Sequence, residues 1–430
     1  MIPKFILEFL LQQPLYLFLV STFYLLVFLL SIRMIFVLPL MFFQKLTLHE
    51  ALKLSFTLTK KRFFFFLRKI LLLGAISGLS YLSFFALLYG LQSLLDRGSS
   101  LGALLGATLN LSLLQVGNLV LSLWSTVMFF MILVLPKISV PTISLNKPKN
   151  KRFSKILISF TLILFLGSNA FYFIDTRYEL PVIISHRGVD NENGVQNTLP
   201  ALRKTVALKP DLIEIDIQET KDHKFVVMHD TNLKKLAGID ISLQKLTLAQ
   251  LTKITVFENG HQAKIASFDS YLKVAQNYQQ KLLIEIKTTP RDSSNMLVNF
   301  TKKYGTLIKK RQHQVQSLDY NVIQQVKKID ALIPIYYNIF IFPHTPADGY
   351  SMEQSTLNDS FVTQAKLSSK QVYSWTPNTE DEFTKAMFLN VDGMITDNVS
   401  GVKAYYRSLL QDPSYASRLL EYSVLLPDQF

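Results

Sequence analysis

Glu214 and Asp216 stand two residues apart within Leu212–Ile217, and Glu285 and Lys287 stand two apart within Leu282–Lys287. Residues two apart in a strand share a face. Each run therefore sets a polar pair against isoleucines on the other side: Ile213, Ile215 and Ile217 in the first, Ile284 and Ile286 in the second. Three carboxylates gathered inside a fold repel one another and lose hydration unless a cation neutralises them. A hard divalent ion with oxygen ligands answers this, and Ca²⁺ or Mg²⁺ suits an all-carboxylate set better than zinc, which recruits His or Cys. Glu214, Asp216 and Glu285 are the candidate metal ligands. For one acid alone, a salt bridge to Lys287 or Arg187 would be the simpler reading; three at strand ends favour a site.

His186 and His229 each end a β-rich run. Two histidines across a phosphorus centre can divide the work, one taking a proton from the attacking oxygen and the other giving one to the leaving oxygen. They are the candidate catalytic pair, whereas His49, His223, His261, His313 and His344 read as structural. Arg187 and Lys287 can hold a phosphate anion, Arg by its planar fork and Lys as a point charge. Gly188 would let the loop backbone approach closely. The chain has no cysteine, which excludes a thiol nucleophile, a zinc–thiolate site, an iron–sulfur cluster and a disulfide framework.

These residues need a scaffold that aims strand ends at one point. From Tyr178 onward, short β-branched runs alternate with helix-length amphipathic stretches, the pattern of βα units around a parallel sheet. The candidate strands are Val182–Ser185, Leu212–Ile217, Phe225–His229, Leu282–Lys287, Gln314–Leu318, Ile333–Asn338, Gln371–Trp375 and Gly393–Thr396. Eight of them in residues 176–430 predict an α/β fold, a (β/α)₈ TIM barrel whose catalytic groups come from the C-terminal ends of its strands.

Residues 1–175 read differently. Of the net charge of +14, they carry +12, which rules out a uniformly basic nucleic-acid binder. Four apolar stretches, Pro14–Ile32, Ile70–Leu91, Thr108–Leu135 and Ile156–Ile174, are long enough to cross a hydrocarbon core as helices and lack a polar stripe. They predict an α-helical transmembrane region of about four helices, in contact with the lipid bilayer. Loops rich in Lys and Arg stay cytoplasmic. Arg33, Lys45, Lys53, Lys60, Lys61, Arg62, Arg68 and Lys69 lie between the first two stretches, and Lys137, Lys147, Lys149, Lys151, Arg152 and Lys155 between the last two. The intervening loop has only Asp96 and Arg97. The expected arrangement is a multi-pass protein of the cell membrane with residues from 176 onward outside the cytoplasm, and with Leu46–Lys61 along the inner surface.

The ordered series His186-Arg187-Gly188, Asn197-Thr198, Glu214-Ile215-Asp216, His229-Asp230, Glu285-Ile286-Lys287, Trp375-Thr376-Pro377-Asn378 and Asp392-Gly393-Met394-Ile395-Thr396-Asp397-Asn398 resembles the glycerophosphodiester phosphodiesterase family. It runs from Pro181 to Val399. The first half is similar to the multi-span region of membrane-bound bacterial members, which often carry further spans ahead of it. The resemblance implies metal-dependent hydrolysis of glycerophosphodiesters to glycerol 3-phosphate and an alcohol. The glycerol 2-hydroxyl would attack phosphorus to give a cyclic phosphate that water opens. It also implies Glu214, Asp216 and Glu285 as metal ligands, His186 and His229 as the acid/base pair, Arg187 and Lys287 on the phosphate, and Trp375 against the glycerol carbons. Gln196 stands where the family usually has Glu; its amide brings no charge to the metal, so Gln196→Glu is expected to lower the metal concentration the enzyme needs. Lipid-derived diesters or teichoic-acid-like polyglycerol phosphate would be the substrates of an outward-facing barrel. A membrane module whose barrel only binds a phosphodiester is the competing reading.

Overall fold

The computed structural model describes residues 14–134, 136, 138, 151–174, 180–338, 344–411 and 414–425. They fall into two compact units, Met1–Arg177 with Pro413–Val424, and Tyr178–Asp412 with Leu425–Phe430.

The first unit is helical: α1 Pro14–Arg33, α2 Val37–Gln44, α3 Leu48–Lys60, α4 Phe63–Leu95, α5 Ser100–Phe129 and α6 Lys151–Ile174. Three spans, Pro14–Gln44, Phe63–Leu95 and Ser100–Ile132, are long and apolar enough to cross a membrane. The fourth expected stretch lies in α6, of whose described residues Ile158–Ile174 form a shorter apolar helix. Leu135 and most of the second basic loop, with Lys137, Lys147 and Lys149, lie outside the described residues.

The segment expected on the inner membrane surface is α3. It starts at a capping box in which Thr47 and Glu50 satisfy each other's backbone N–H groups. Its small buried residues Ala51, Ser55 and Thr59 let it dock closely on its neighbours. Ser55 Oγ donates to the Arg33 carbonyl at 2.7 Å, and Arg33 Nη2 returns a bond to the Phe56 carbonyl at 2.9 Å. Polar side chains link the long helices: Asn110 Nδ2 donates to Gln92 Oε1 at 2.9 Å, and Asn169 Nδ2 to Ser112 Oγ at 2.8 Å. The C-terminal helix Tyr415–Leu425 packs in this unit, an arrangement the sequence did not suggest. Ala416 N–H donates to Asp96 Oδ2 at 2.9 Å, and buried Arg418 caps the end of α6 by donating to the carbonyls of Phe173, at 2.8 Å, and Tyr172.

The second unit is a closed barrel of eight parallel strands: β1 Val182–Ser185, β2 Leu212–Glu219, β7 Lys281–Ile286, β8 Gln314–Ser317, β9 Ile335–Asn338, β10 Gly349–Glu353, β11 Gln371–Trp375 and β12 Gly393–Thr396, which pairs back to β1. Isoleucines 213, 215, 217, 284 and 286 face the helices in one buried cluster. Inside, Ile184, Leu212, Leu283, Tyr336, Tyr373 and Ile395 form an apolar floor. Two residues further along stand Glu214, Glu285, Asn338 and Trp375 on the same strands, and His186 and Asp397 just past the ends of β1 and β12, which together place the site layer above the floor.

Two strand expectations need correction. Phe225–His229 is not a barrel strand: β3, Phe225–Val227, pairs antiparallel with β2 and with β6, Ala266–Ser267, outside the closed ring. The eighth barrel strand is β10. Its GYSME sequence lacks the β-branched residues that mark strands, and it opens with a glycine because a Cβ on Gly349 would stand 2.5 Å from the Tyr336 ring. Between β3 and β6 lies a hairpin of β4, Thr255–Glu258, and β5, His261–Lys264.

Candidate active site

β2 and β7 are adjacent, with Asp216 opposite Glu285. This register brings Glu214, Asp216 and Glu285 together, all buried, with ligand oxygens within 4.8 Å of one another. Lys287 Nζ sits 3.2 Å from Asp216 Oδ1 and 3.0 Å from Glu285 Oε1. Arg187 adopts φ 50, turning its backbone N–H to Glu214 Oε2 at 2.9 Å while its Nε lies 3.7 Å from Asp216 Oδ2. Next to it, Gly188 has φ +68, and a Cβ there would meet the Tyr271 hydroxyl at 2.6 Å, so glycine serves both the turn and the packing.

Burial, followed by the charges of Asp216 and Glu285, pushes Glu214 well above the usual carboxylate range. Burial and then Asp216 raise Glu285. Asp216 also pays for burial, but Lys287, His229 and Arg187 together hold it low. Lys287 is raised: burial opposes its charge, and Asp216 and Glu285 outweigh that. The donor set is all oxygen, and two more buried oxygens beside it, Gln316 Oε1 and Asn338 Oδ1, have no hydrogen-bond partner. Their amide nitrogens both donate to Glu285 Oε2, at 3.0 and 3.2 Å. Such a cluster fits a hard divalent cation.

Each histidine is held through Nδ1 by a carboxylate. His186 Nδ1 lies 2.8 Å from Asp397 Oδ1, and His229 Nδ1 lies 2.7 Å from Asp230 Oδ1. His229 stands on a loop after β3, and Gln218 secures that loop by donating to the carbonyls of Met228 and His229 at 2.9 and 3.0 Å. Burial lowers the His229 pKa, with Asp216 opposing. A cavity of about 1070 Å³ opens beside His229, Glu285 and Lys287. Another of about 450 Å³ is lined by His186, Arg187, Gln196 and Glu258. Trp375, half-buried at the end of β11, shares the barrel's interior cluster.

Residues 186–400 match the model of the glycerophosphoryl diester phosphodiesterase family. The chain belongs to that family. Residues 1–169 match the membrane domain of glycerophosphoryl diester phosphodiesterase. Membership makes the chain a phosphoric diester hydrolase of the glycerophosphodiester phosphodiesterase type. It is 25% identical over 50% of its length to YhdW of Bacillus subtilis, named as a glycerophosphodiester phosphodiesterase, and covers 93% of that protein. It is also 25% identical to the human lysophospholipase D GDPD1, over 50% of this chain and 82% of that one. An Oleispira antarctica phosphodiesterase solved with the product sn-glycerol-3-phosphate matches 53% of this chain and 97% of its own, at 20% identity and a TM-score of 0.47.

The eight site residues expected from sequence, His186, Arg187, Glu214, Asp216, His229, Glu285, Lys287 and Trp375, all lie at this one end of the barrel. Reasoning from sequence gave no role to Asp397, Asp230, Asn197, Gln316, Asn338 or Glu258. For the first two a signal existed: Asp230 follows His229 directly, and Asp397 follows a barrel strand. Asn197 clasps Asp216 by donating to its Oδ2 at 2.8 Å and accepting its backbone N–H at 3.1 Å. Among the described residues, the Gln196 side chain bonds to Arg187 and Glu258.

Proposed function

We propose that this chain is a membrane-anchored, metal-dependent enzyme that hydrolyses glycerophosphodiesters to glycerol 3-phosphate and an alcohol. The observation that carries this reading is the facing of two carboxylate-backed histidines, His186 and His229, onto three buried acids at the mouth of one barrel. Glu214, Asp216 and Glu285 would hold Ca²⁺ or Mg²⁺, which supplies positive charge against the substrate phosphate when bound.

Arg187 and Lys287 bind the phosphate oxygens, one through its fork and the other as a point charge. With Nδ1 tied to Asp230, His229 presents Nε2, and burial favours its neutral form. It is suited to take the proton of the attacking hydroxyl. His186, oriented by Asp397, gives a proton to the leaving oxygen, and the two exchange roles when water opens the cyclic phosphate. Trp375 packs against the glycerol carbons.

The membrane unit supports a multi-pass arrangement with the catalytic domain extracytoplasmic. The end of α6 and the start of the C-terminal helix both lie at its Asp96 end, through the bonds of Arg418 and Ala416. Asp96 belongs to the loop poor in Lys and Arg, which the charge rule places outside. From that side, lipid-derived diesters and polyglycerol phosphate are the accessible substrates.

The test is a screen of the purified full chain, with and without chelator, against glycerophosphocholine, glycerophosphoglycerol and polyglycerol phosphate. Release of glycerol 3-phosphate from at least one of them is expected. Hydrolysis of none, with metal supplied, would overturn the reading.

A further inference from the structure

We propose that Glu258, on the hairpin outside the barrel ring, is a positioning residue for Arg187 and acts on it through Gln196. The inference rests on the reading of Arg187 as a phosphate ligand. Arg187 Nη1 donates to Gln196 Oε1 at 2.6 Å, Gln196 Nε2 donates to Glu258 Oε1 at 2.6 Å, and the Gln196 backbone N–H donates to Glu258 Oε2 at 2.9 Å.

The polarity of this chain is forced by its ends. A guanidinium only donates and a carboxylate only accepts, so the amide between them has one orientation that satisfies both. Gln196 is buried and its loop is fixed, since Asn197 N–H donates to the Arg187 carbonyl at 2.7 Å and Thr198 Oγ1 to the Val195 carbonyl at 2.7 Å. The amide therefore transmits the hairpin carboxylate to the arginine: both its bonds are short and charge-assisted, and each polarises the other.

Among the described residues, the ion pair Arg187 makes is with Asp216, at 3.7 Å. Without a second hold, the guanidinium would be drawn onto an acid of the cation site. The relay gives Nη1 a separate anchor, Gln196 Oε1, at the wall of the cavity that His186, Gln196 and Glu258 line. The family resemblance led to an expectation that position 196 bears on metal affinity; its contacts give it a part in aiming Arg187. Gln196→Glu alone would then set a carboxylate against Glu258.

The test uses the full chain in detergent with Mg²⁺ or Ca²⁺ present. It reads the affinity for glycerol 3-phosphate by calorimetry, and KM and kcat on glycerophosphoglycerol. Q196E should weaken glycerol 3-phosphate binding about tenfold and E258Q about threefold to tenfold, with KM following and kcat changing less. The double variant Q196E/E258Q again faces a donor with an acceptor at every step, and should return to within about threefold of wild type. Losses that simply add in the double variant, or an E258Q enzyme with unchanged affinity and KM, would overturn the relay. Should Q196E fail to fold, E258Q and E258A on the half-buried hairpin still decide it by the same split of KM from kcat. A wild type that binds glycerol 3-phosphate but hydrolyses no diester would overturn the diesterase reading alone, since binding still decides the relay. A wild type that binds no glycerol 3-phosphate would overturn both.

Discussion

Asp397 Oδ1 lies 2.8 Å from His186 Nδ1, and its other oxygen accepts from Asn378 Nδ2 at 3.0 Å. Asn378 Oδ1 in turn accepts the Asp397 backbone N–H at 2.8 Å, so the end of β12 and the loop after β11 jointly fix one ring orientation. Replacing Asp397 by Asn keeps the shape and removes the charge that selects the His186 tautomer. The expected loss in kcat is about 10², with KM little changed, by analogy with other carboxylate–histidine pairs. Steady-state kinetics on a glycerophosphodiester check it.

The histidines themselves carry more. His186→Ala and His229→Ala should each lower turnover by roughly 10² to 10⁴, the range for losing a general acid or base. Affinity for glycerol 3-phosphate, measured by calorimetry, should fall much less. Near-normal turnover in a folded variant would return that histidine to a structural role.

Most of the site was legible because the two-residue repeat of a strand is visible in sequence. Ile213, Ile215 and Ile217 could only face helices, which sent Glu214 and Asp216 inward, and the same holds for Ile284 and Ile286 around Glu285. The errors came where another force outweighed propensity. Phe225–Val227 has the composition of a barrel strand, but it pairs antiparallel on β2, and His229 reaches the site from the following loop. Gly349–Glu353 has the composition of a turn, yet it completes the ring because Gly349 makes room for Tyr336. Contacts such as Gln196 to Glu258 join residues 62 apart in sequence and leave no local pattern.

His313 gives a stability prediction. Burial, and then the charge of Arg311, push its pKa from 6.5 down to about 4, and its Nδ1 accepts the Leu282 N–H at 3.0 Å. The folded state therefore resists a proton that the unfolded state takes up. Its contribution to stability is whole above pH 6.5 and is lost as pH falls toward 4, by about 1.4 kcal/mol per unit, or roughly 2 kcal/mol at pH 5. His313→Asn keeps an acceptor for Leu282 and cannot titrate. Denaturation curves from pH 7 to pH 5 should fall less steeply for this variant than for wild type.

Orientation can be read with protease. The basic loops place Lys60 and Lys149 inside and His186 outside, so protease added to intact cells should cut within residues 175–180 and yield a separate catalytic-domain fragment on a denaturing gel, even while the C-terminal helix keeps that fragment on the membrane unit. A domain protected until the membrane is permeabilised would reverse the assignment and direct the substrate search to cytoplasmic diesters.

The most direct measurement is hydrolysis of glycerophosphoglycerol by the purified full chain before metal removal, after it, and after Mg²⁺ or Ca²⁺ is returned. With Glu214, Asp216 and Glu285 packed within 4.8 Å of one another, an uncompensated cluster would repel the anionic substrate. Activity should vanish on removal and return with the cation. Undiminished hydrolysis by thoroughly stripped protein would contradict a metal-dependent phosphodiesterase.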